Sequence, residues 1–203
     1  VDTNSPATSQ VVAQIFITSK VKISADMATC LLVGIHTDTG GYKYHPTSAK
    51  TFRIASKLAK ISPGYHQVIF NFENQDKPDR LTMMWLLLGN VKTYFGGKVA
   101  LSTVSKSQLK KKKIEPDTIF TVDLANTIKS VVGYEIGGTL IEGYDNKVKI
   151  SLRTRNPNLY NLSKISLATG YGGGHKAAAG ASLPFNLKKS LNILLSAIAQ
   201  NNP

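Results

Sequence analysis

The sequence of 203 residues contains a single cysteine, Cys30, which excludes an intrachain disulfide and a cysteine metal cluster. A reducing, cytoplasmic setting fits this cysteine content. Long hydrophobic runs are also absent, since no apolar stretch approaches the roughly 18 residues of a membrane-spanning helix. The N-terminal stretch VDTNSPATSQ lacks the basic and apolar regions of a signal peptide. We therefore expect a globular protein with no membrane contact.

Acidic residues are scarce, with 12 Asp and Glu against 25 Lys and Arg, and the formal net charge is +13. This balance favours polyanionic partners such as nucleic acid, nucleotides or polyphosphate. Excess lysine can equally serve solubility or an acidic neighbour in an assembly. The hydrophobic content of 42% is enough to bury a core in one large domain or two small ones.

The first part of the chain has the apolar spacing of helices. Ser5 and Pro6 predict a cap and first position for a helix that ends near Thr18, and a second helix is expected over residues 25–34. Thr47 or Ser48 caps a third. The apolar segment over residues 80–94 predicts a helix that connects two domains.

Beyond Gly97 the pattern changes to alternating strands and helices. Strands are expected at KVALSTV and GASLP, and a hairpin at the turn YDNK. Helices are expected over residues 119–132, 162–168 and 187–198. The fold class predicted for this part is α/β with a mixed sheet.

Two short motifs carry candidate ligands. In HTDTGGY, Asp38 lies between two threonines on a predicted loop, where a carboxylate can bind a divalent cation or form an Asx turn. In SLRTR, Arg153 and Arg155 share one face of a strand, as a phosphate clamp or as a solvated face. The lysine run, residues 110–113, is interpreted as a solvated helix end with a general electrostatic contribution to anion binding.

The stretch GYGGGHKAAAG contains three consecutive glycines, Gly172, Gly173 and Gly174, followed by His175. Glycines let backbone N–H groups approach a ligand, so a glycine run followed by a short helix can cradle a phosphate. A structural turn beside a packed histidine is the alternative interpretation.

Taken in this order, the motifs resemble those of the DHH phosphoesterase superfamily, in its nanoRNase and pAp phosphatase branch. LLVGIHTDTGGYKY is similar to the last motif of the DHH domain, SLRTR to the substrate-binding strand of the DHH-associated domain, and GYGGGHKAAAG to its GGGH signature. The resemblance covers nearly the whole chain, with Tyr171 replacing a glycine that many members carry. It implies the carboxyl-terminal remainder of a DHH-type α/β domain over residues 1–73, a connecting helix over 74–96 and a DHH-associated α/β domain over 97–203.

The resemblance also implies site residues. Asp38 corresponds to a catalytic ligand of two manganese ions. Arg153 and His175 correspond to residues that hold the substrate phosphate, with the glycines 172–174 allowing close approach and Arg155 as a further candidate. The roles of His36 and Lys176 stay open.

The activity implied is metal-dependent hydrolysis of short oligoribonucleotides or pAp by a cytoplasmic homodimer, with cyclic dinucleotides and polyphosphate as alternative substrates. The family's earlier motifs, with the Asp-His-His triplet, do not occur in this sequence. We therefore expect either the carboxyl-terminal part of a longer enzyme, inactive alone, or a non-catalytic module that binds nucleic acid or nucleotides.

Overall fold

The computed structural model describes residues 4–120 and 124–201. The chain divides into two compact units, Val1–Asp76 and Lys77–Pro203. The division falls in the polar stretch ENQDKPD, which contributes no residue to the hydrophobic cores. Within the described ranges, no helix combines the length and the apolar character needed to cross a membrane.

The first unit is helical throughout its regular structure within residues 4–76. Ser48 begins the third helix with a capping box, in which its side chain and that of Thr51 each accept a hydrogen bond from the other's backbone N–H. The apolar faces of these helices form one core, to which Leu32, Ile35 and Leu58 contribute fully buried side chains. The helices are α1 (Thr8–Thr18), α2 (Ala25–Asp38), α3 (Ala49–Ile61) and α4 (Tyr65–Glu73).

Two helix boundaries in this unit differ from the prediction. Helix α1 begins at Thr8 because the backbone of Ala7 is extended, with φ of −151° and ψ of 139°. The Ser5 hydroxyl donates to the Ala7 carbonyl at 3.0 Å, and no side chain caps the helix. Helix α2 continues four residues beyond residue 34 and ends at Asp38, so this residue lies in a helix and not on a loop. The helix ends there because Gly40 and Gly41 have φ of 58° and 67°, which are not helical.

The second unit contains one six-stranded mixed sheet with helices on both faces, which confirms the predicted α/β class. Strands β2 and β3 pair in parallel and the other neighbours are antiparallel. The strand order is β1-β2-β3-β4-β6-β5, formed by β1 (Val91–Tyr94), β2 (Val99–Val104), β3 (Ile136–Glu142), β4 (Val148–Thr154), β5 (Gly172–Gly174) and β6 (Ala178–Leu183).

The helix expected over residues 80–94 is shorter than predicted. Helix α5 (Pro78–Gly89) ends at Gly89, and Val91–Tyr94 form the edge strand β1. The β-branched and aromatic residues of VKTY favour a strand, and pairing with β2 satisfies their backbone groups. The segment therefore does not form one continuous helix.

Each face of the sheet has its own core. On one face Leu101, Leu140 and Leu152 pack against α8 (Leu162–Ala168) and α9 (Leu187–Asn201). On the other, the core includes residues of α5, α6 (Lys106–Lys111) and α7 (Leu124–Ser130). The helix expected over 119–132 is a 3-10 helix, Thr118–Phe120, and then α7, while residues 121–123 lie outside the described ranges.

Candidate functional site

Part of the α7 face of the sheet is open to solvent at the end formed by β4, β6 and β5. Arg153 lies opposite Gly137 on β3 and Ala178 on β6, and opposed residues of antiparallel strands project to the same face. A Cβ at Gly137 would meet the α7 backbone, which identifies the face on which Arg153 lies. Along β4 and β6 the same face carries polar and small side chains with exposed or half-buried positions: Lys149, Ser151, Arg153, Ala178, Gly180 and Ser182. We call this surface, together with Gly173, the open face.

Gly173 differs from the glycines on either side of it. A Cβ at Gly172 would collide with the Ser166 hydroxyl and the β6 backbone, and Gly174 has φ of +134°. A Cβ at Gly173 would meet no atom within 4 Å, and its φ is not in the left-handed region. Packing and backbone conformation therefore require glycine at 172 and 174 but not at 173, where the missing side chain leaves the open face flat.

The GGGH segment forms a β-hairpin and is not followed by a helix, which corrects the expected loop-to-helix cradle. The His175 N–H donates to the Ala178 carbonyl at 2.8 Å, and the Ala178 N–H donates back at 3.3 Å. Lys176 and Ala177 form the tip of this hairpin. The Lys176 carbonyl accepts a hydrogen bond from the Leu162 N–H at 3.0 Å, which holds the tip against α8. In an antiparallel ladder, hydrogen-bonded pairs alternate with pairs that are not hydrogen-bonded. His175 and Ala178 form a hydrogen-bonded pair, so Gly174 and Gly172 belong to pairs that are not. The N–H groups of these two glycines therefore point away from β6, outward from the edge strand.

The ends of β4 and β5 bring Arg153 and His175 to the same end of the open face. Arg153 pairs with Ala178, and Ala178 pairs with His175 across the hairpin. The half-buried Arg153 donates from Nη1 to the Leu152 carbonyl at 3.0 Å, a contact that orients its guanidinium. The His175 side chain is exposed and makes no hydrogen bond to the described residues. These two residues and Gly173 are the predicted ligands that the structure brings together.

Arg155 has a different set of contacts. Its Nη2 donates to the carbonyls of Lys129, Ser130 and Val131 at 3.1, 2.9 and 3.1 Å. These carbonyls end α7, where helix geometry leaves acceptors without partners and a positive charge is favourable. The guanidinium of Arg155 thus holds the end of a helix, and its predicted role in substrate binding rests on the resemblance alone.

Asp38 lies in the first unit, at the last position of α2, with its side chain exposed. The next residue, Thr39, is buried, and its hydroxyl donates to the Ile35 carbonyl at 2.6 Å and accepts from the Tyr42 N–H at 2.9 Å. This arrangement fixes the glycine turn that follows Asp38. The described residues contain no group of three or more His, Cys, Asp or Glu side chains able to hold a metal ion. Residues 4–120 and 124–201 therefore do not by themselves form a two-manganese site.

A contact that the sequence did not indicate lies close to Asp38. The His36 Nε2 is 2.7 Å from Glu73 Oε1, at a cavity of about 570 Å³ that Lys43 also lines. The two residues are 37 positions apart, so only the packing of α4 on α2 brings them together. Beside them Tyr42 stacks on an aromatic ring of α3, and burial raises the pKa of its hydroxyl.

Comparisons with known proteins identify the family of this chain. Residues 95–201 match the family model described as the DHHA1 domain. The bifunctional oligoribonuclease and PAP phosphatase NrnA of Thermus thermophilus is 27% identical over 201 residues, which cover 98% of this chain and 58% of that protein. The protein of the same name from Mycoplasma genitalium is 29% identical over 154 residues, covering 76% of this chain and 45% of that protein.

The fold has a solved counterpart in an exopolyphosphatase-related protein from Bacteroides fragilis, with a TM-score of 0.82 and 22% identity. That match covers 97% of this chain and 57% of the other, so the chain spans about half the length of the proteins it resembles. The DHHA1 match includes both the SLRTR strand and the GGGH hairpin and extends over more than half of the 203 residues. The resemblance to DHH phosphoesterases is thereby confirmed, and the chain belongs to the DHHA1 domain family.

Proposed function

We propose that this chain supplies the substrate-binding part of a DHH-type phosphoesterase that hydrolyses short oligoribonucleotides or pAp. The observation that carries the proposal is the position of Gly173. No steric or conformational constraint requires a glycine there, yet the residue lies on the open face beside Arg153 and the GGGH hairpin. A surface without a protruding side chain, next to a guanidinium, allows a phosphate and its ribose to come close to the backbone.

In this proposal the terminal phosphate binds at the end of the open face. The Arg153 guanidinium offers paired donors to two phosphate oxygens, and His175 adds a donor from the hairpin. The outward N–H groups of Gly172 and Gly174 supply backbone donors without side chains that obstruct them. The hydroxyls of Ser151 and Ser182 then face the rest of the nucleotide. The net charge of +13 favours the approach of a polyanion.

Hydrolysis splits a phosphorus–oxygen bond, with water supplying the hydroxyl to phosphorus and the proton to the leaving oxygen. Two manganese ions are part of the proposal for the complete enzyme, with Asp38 as one ligand. One exposed carboxylate is not a site for either ion, and the described residues offer no cluster to complete it. We therefore assign this chain the binding of the substrate and no chemical step.

A second candidate is a non-catalytic module that binds nucleotides or RNA. The absence of a metal-holding group of three within the described ranges favours it. Both candidates use the open face in the same way. They differ in whether the residues around Asp38 are completed by further ligands in the working protein.

Calorimetric titration of this chain with pAp, a 5′-phosphorylated diribonucleotide, a cyclic dinucleotide and polyphosphate tests the proposal. We expect saturable binding, tightest for the first two, since they present a terminal phosphate beside a ribose. Equal affinity for polyphosphate would show that charge alone is recognised and would contradict the nucleotide assignment. Sedimentation of the same samples tests the expected homodimer.

A further inference from the structure

The exposed side of helix α5 carries an unusual set of apolar side chains. Leu81, Trp85 and Leu88 are 73%, 61% and 50% exposed and follow one another at spacings of four and three residues. The opposite side of the helix is buried through Met83 and Leu87. These three exposed side chains form one stripe, which we call the α5 stripe, and it includes the only tryptophan of the chain.

Lys112, one of a run of four lysines, lies against this stripe. Residues 110–113 are all exposed, at the end of α6, and the Lys112 Nζ is 4.6 Å from the centre of the Trp85 ring. A surface cavity of about 390 Å³ is lined by Lys112 together with Leu81, Thr82 and Trp85. An indole ring, apolar neighbours and ammonium groups therefore share one surface.

Two carboxylates close in sequence to α5 and the lysine run have other partners, while the Glu115 side chain, two residues beyond the run, is exposed. Asp79 Oδ2 accepts from the Glu115 N–H at 3.0 Å, and Asp117 Oδ2 is 3.9 Å from Lys77 Nζ. Within the lysine run, Lys112 contacts the Trp85 ring. Asp79 and Asp117 therefore do not balance the positive charge of the run, and the single carboxylate of Glu115 can offset only one of its four lysines.

We propose that the α5 stripe and the lysine run bind single-stranded nucleic acid, with a base stacked on Trp85 and phosphates on the lysines. An exposed aromatic ring beside a cationic track is the arrangement that binds single strands without sequence preference. A second copy of the chain fits less well, because two such surfaces would oppose their lysine runs. This site lies on α5 and α6, apart from the residues of the open face, and is independent of the function proposed above.

Binding at this site can be measured by tryptophan fluorescence, because Trp85 is the one tryptophan of the sequence and its emission reports on base stacking. We would titrate the chain with an oligouridylate of about 12 nucleotides, a length within the usual span of such sites. We expect saturable quenching that is reversed by salt. Oligothymidylate in a parallel titration distinguishes RNA from DNA as the preferred strand.

Variants separate stacking from charge. Followed by anisotropy of a labelled oligouridylate, Trp85→Ala should weaken binding about tenfold. Lys112→Gln should weaken it and reduce the salt dependence, while Lys188→Gln on α9, at the other face of the sheet, should leave it unchanged.

The proposal is overturned if oligouridylate fails to quench Trp85, or if Trp85→Ala and Lys188→Gln bind it equally. A dimer that Trp85→Ala dissociates, without quenching by either strand, would assign the stripe to a second copy. None of these results affects the pAp titrations, which report on Arg153 and Gly173, so the two proposals fail separately.

Discussion

Gly173 lies directly opposite Gly180 in the β5–β6 pair, and both residues belong to the open face. A Cβ at Gly180 would lie 2.7 Å from the Ile150 carbonyl, whereas one at Gly173 would meet nothing within 4 Å. The surroundings of these two opposed glycines therefore differ. Gly180 is required by the packing of β6 on β4, whereas no contact among the described residues requires a glycine at position 173.

Gly173→Val should abolish detectable binding of pAp while leaving the free energy of unfolding nearly unchanged. Its side chain would occupy the space that a bound phosphate and ribose need, and valine is well suited to a strand. Gly174→Val is the matched control, because the φ of +134° and contact with Ala179 make it destabilising. Calorimetry and urea denaturation measure the two effects. Normal pAp affinity in a folded Gly173→Val protein would contradict the proposed site.

Arg153→Ala and His175→Ala should each weaken pAp binding roughly tenfold to a hundredfold, the usual effect of losing a charge-assisted contact to phosphate. His66→Ala is the control for the histidine, since His66 is exposed in the other unit. Thermal unfolding should show little change for His175→Ala because its imidazole is exposed. A marked fall in Tm with unchanged affinity would instead assign the hairpin a structural role.

Local signals in the sequence predicted much of the second unit. Helix α8 over 162–168 and the hairpin at YDNK followed from apolar spacing and turn residues, and both are confirmed. The boundaries at Asp38 and residues 91–94 were wrong because glycine φ angles and strand pairing set them, and neither is visible in local periodicity. The His36–Glu73 contact could not be predicted, since it depends on how two helices pack.

The chain by itself should bind manganese weakly and should not hydrolyse a diribonucleotide at an appreciable rate. Asp38 is exposed and belongs to no cluster of three potential ligands among the described residues. Calorimetry with manganese chloride and chromatography of the reaction products test this, with Asp38→Asn as the control. Metal-dependent cleavage that Asp38→Asn abolishes would show that the chain holds a working centre.

Asp79 should make the stability of the second unit depend on pH. Hydrogen bonds from Thr118 and from the Glu115 N–H lower the pKa of the Asp79 carboxyl below its ordinary value. A lowered folded-state pKa stabilises the protein above the unfolded pKa, and this contribution is lost as the pH falls through the folded value. In urea denaturation, wild type should therefore lose more stability than Asp79→Asn below about pH 5. Parallel losses in the two proteins would contradict the assignment.

Arg155→Ala should lower stability by about 1 to 2 kcal/mol, because it leaves the last carbonyls of α7 without their donor. Arg155→Lys should recover part of the loss, since an ammonium near a helix C-terminus keeps the favourable charge but not the planar fork. The affinity for pAp should stay within about twofold of wild type in both variants, in contrast to Arg153→Ala. Urea denaturation and calorimetry on the same samples separate the two roles. If Arg155→Ala instead binds pAp as poorly as Arg153→Ala and unfolds like wild type, both arginines hold the phosphate, and the contacts with α7 give way when the ligand binds.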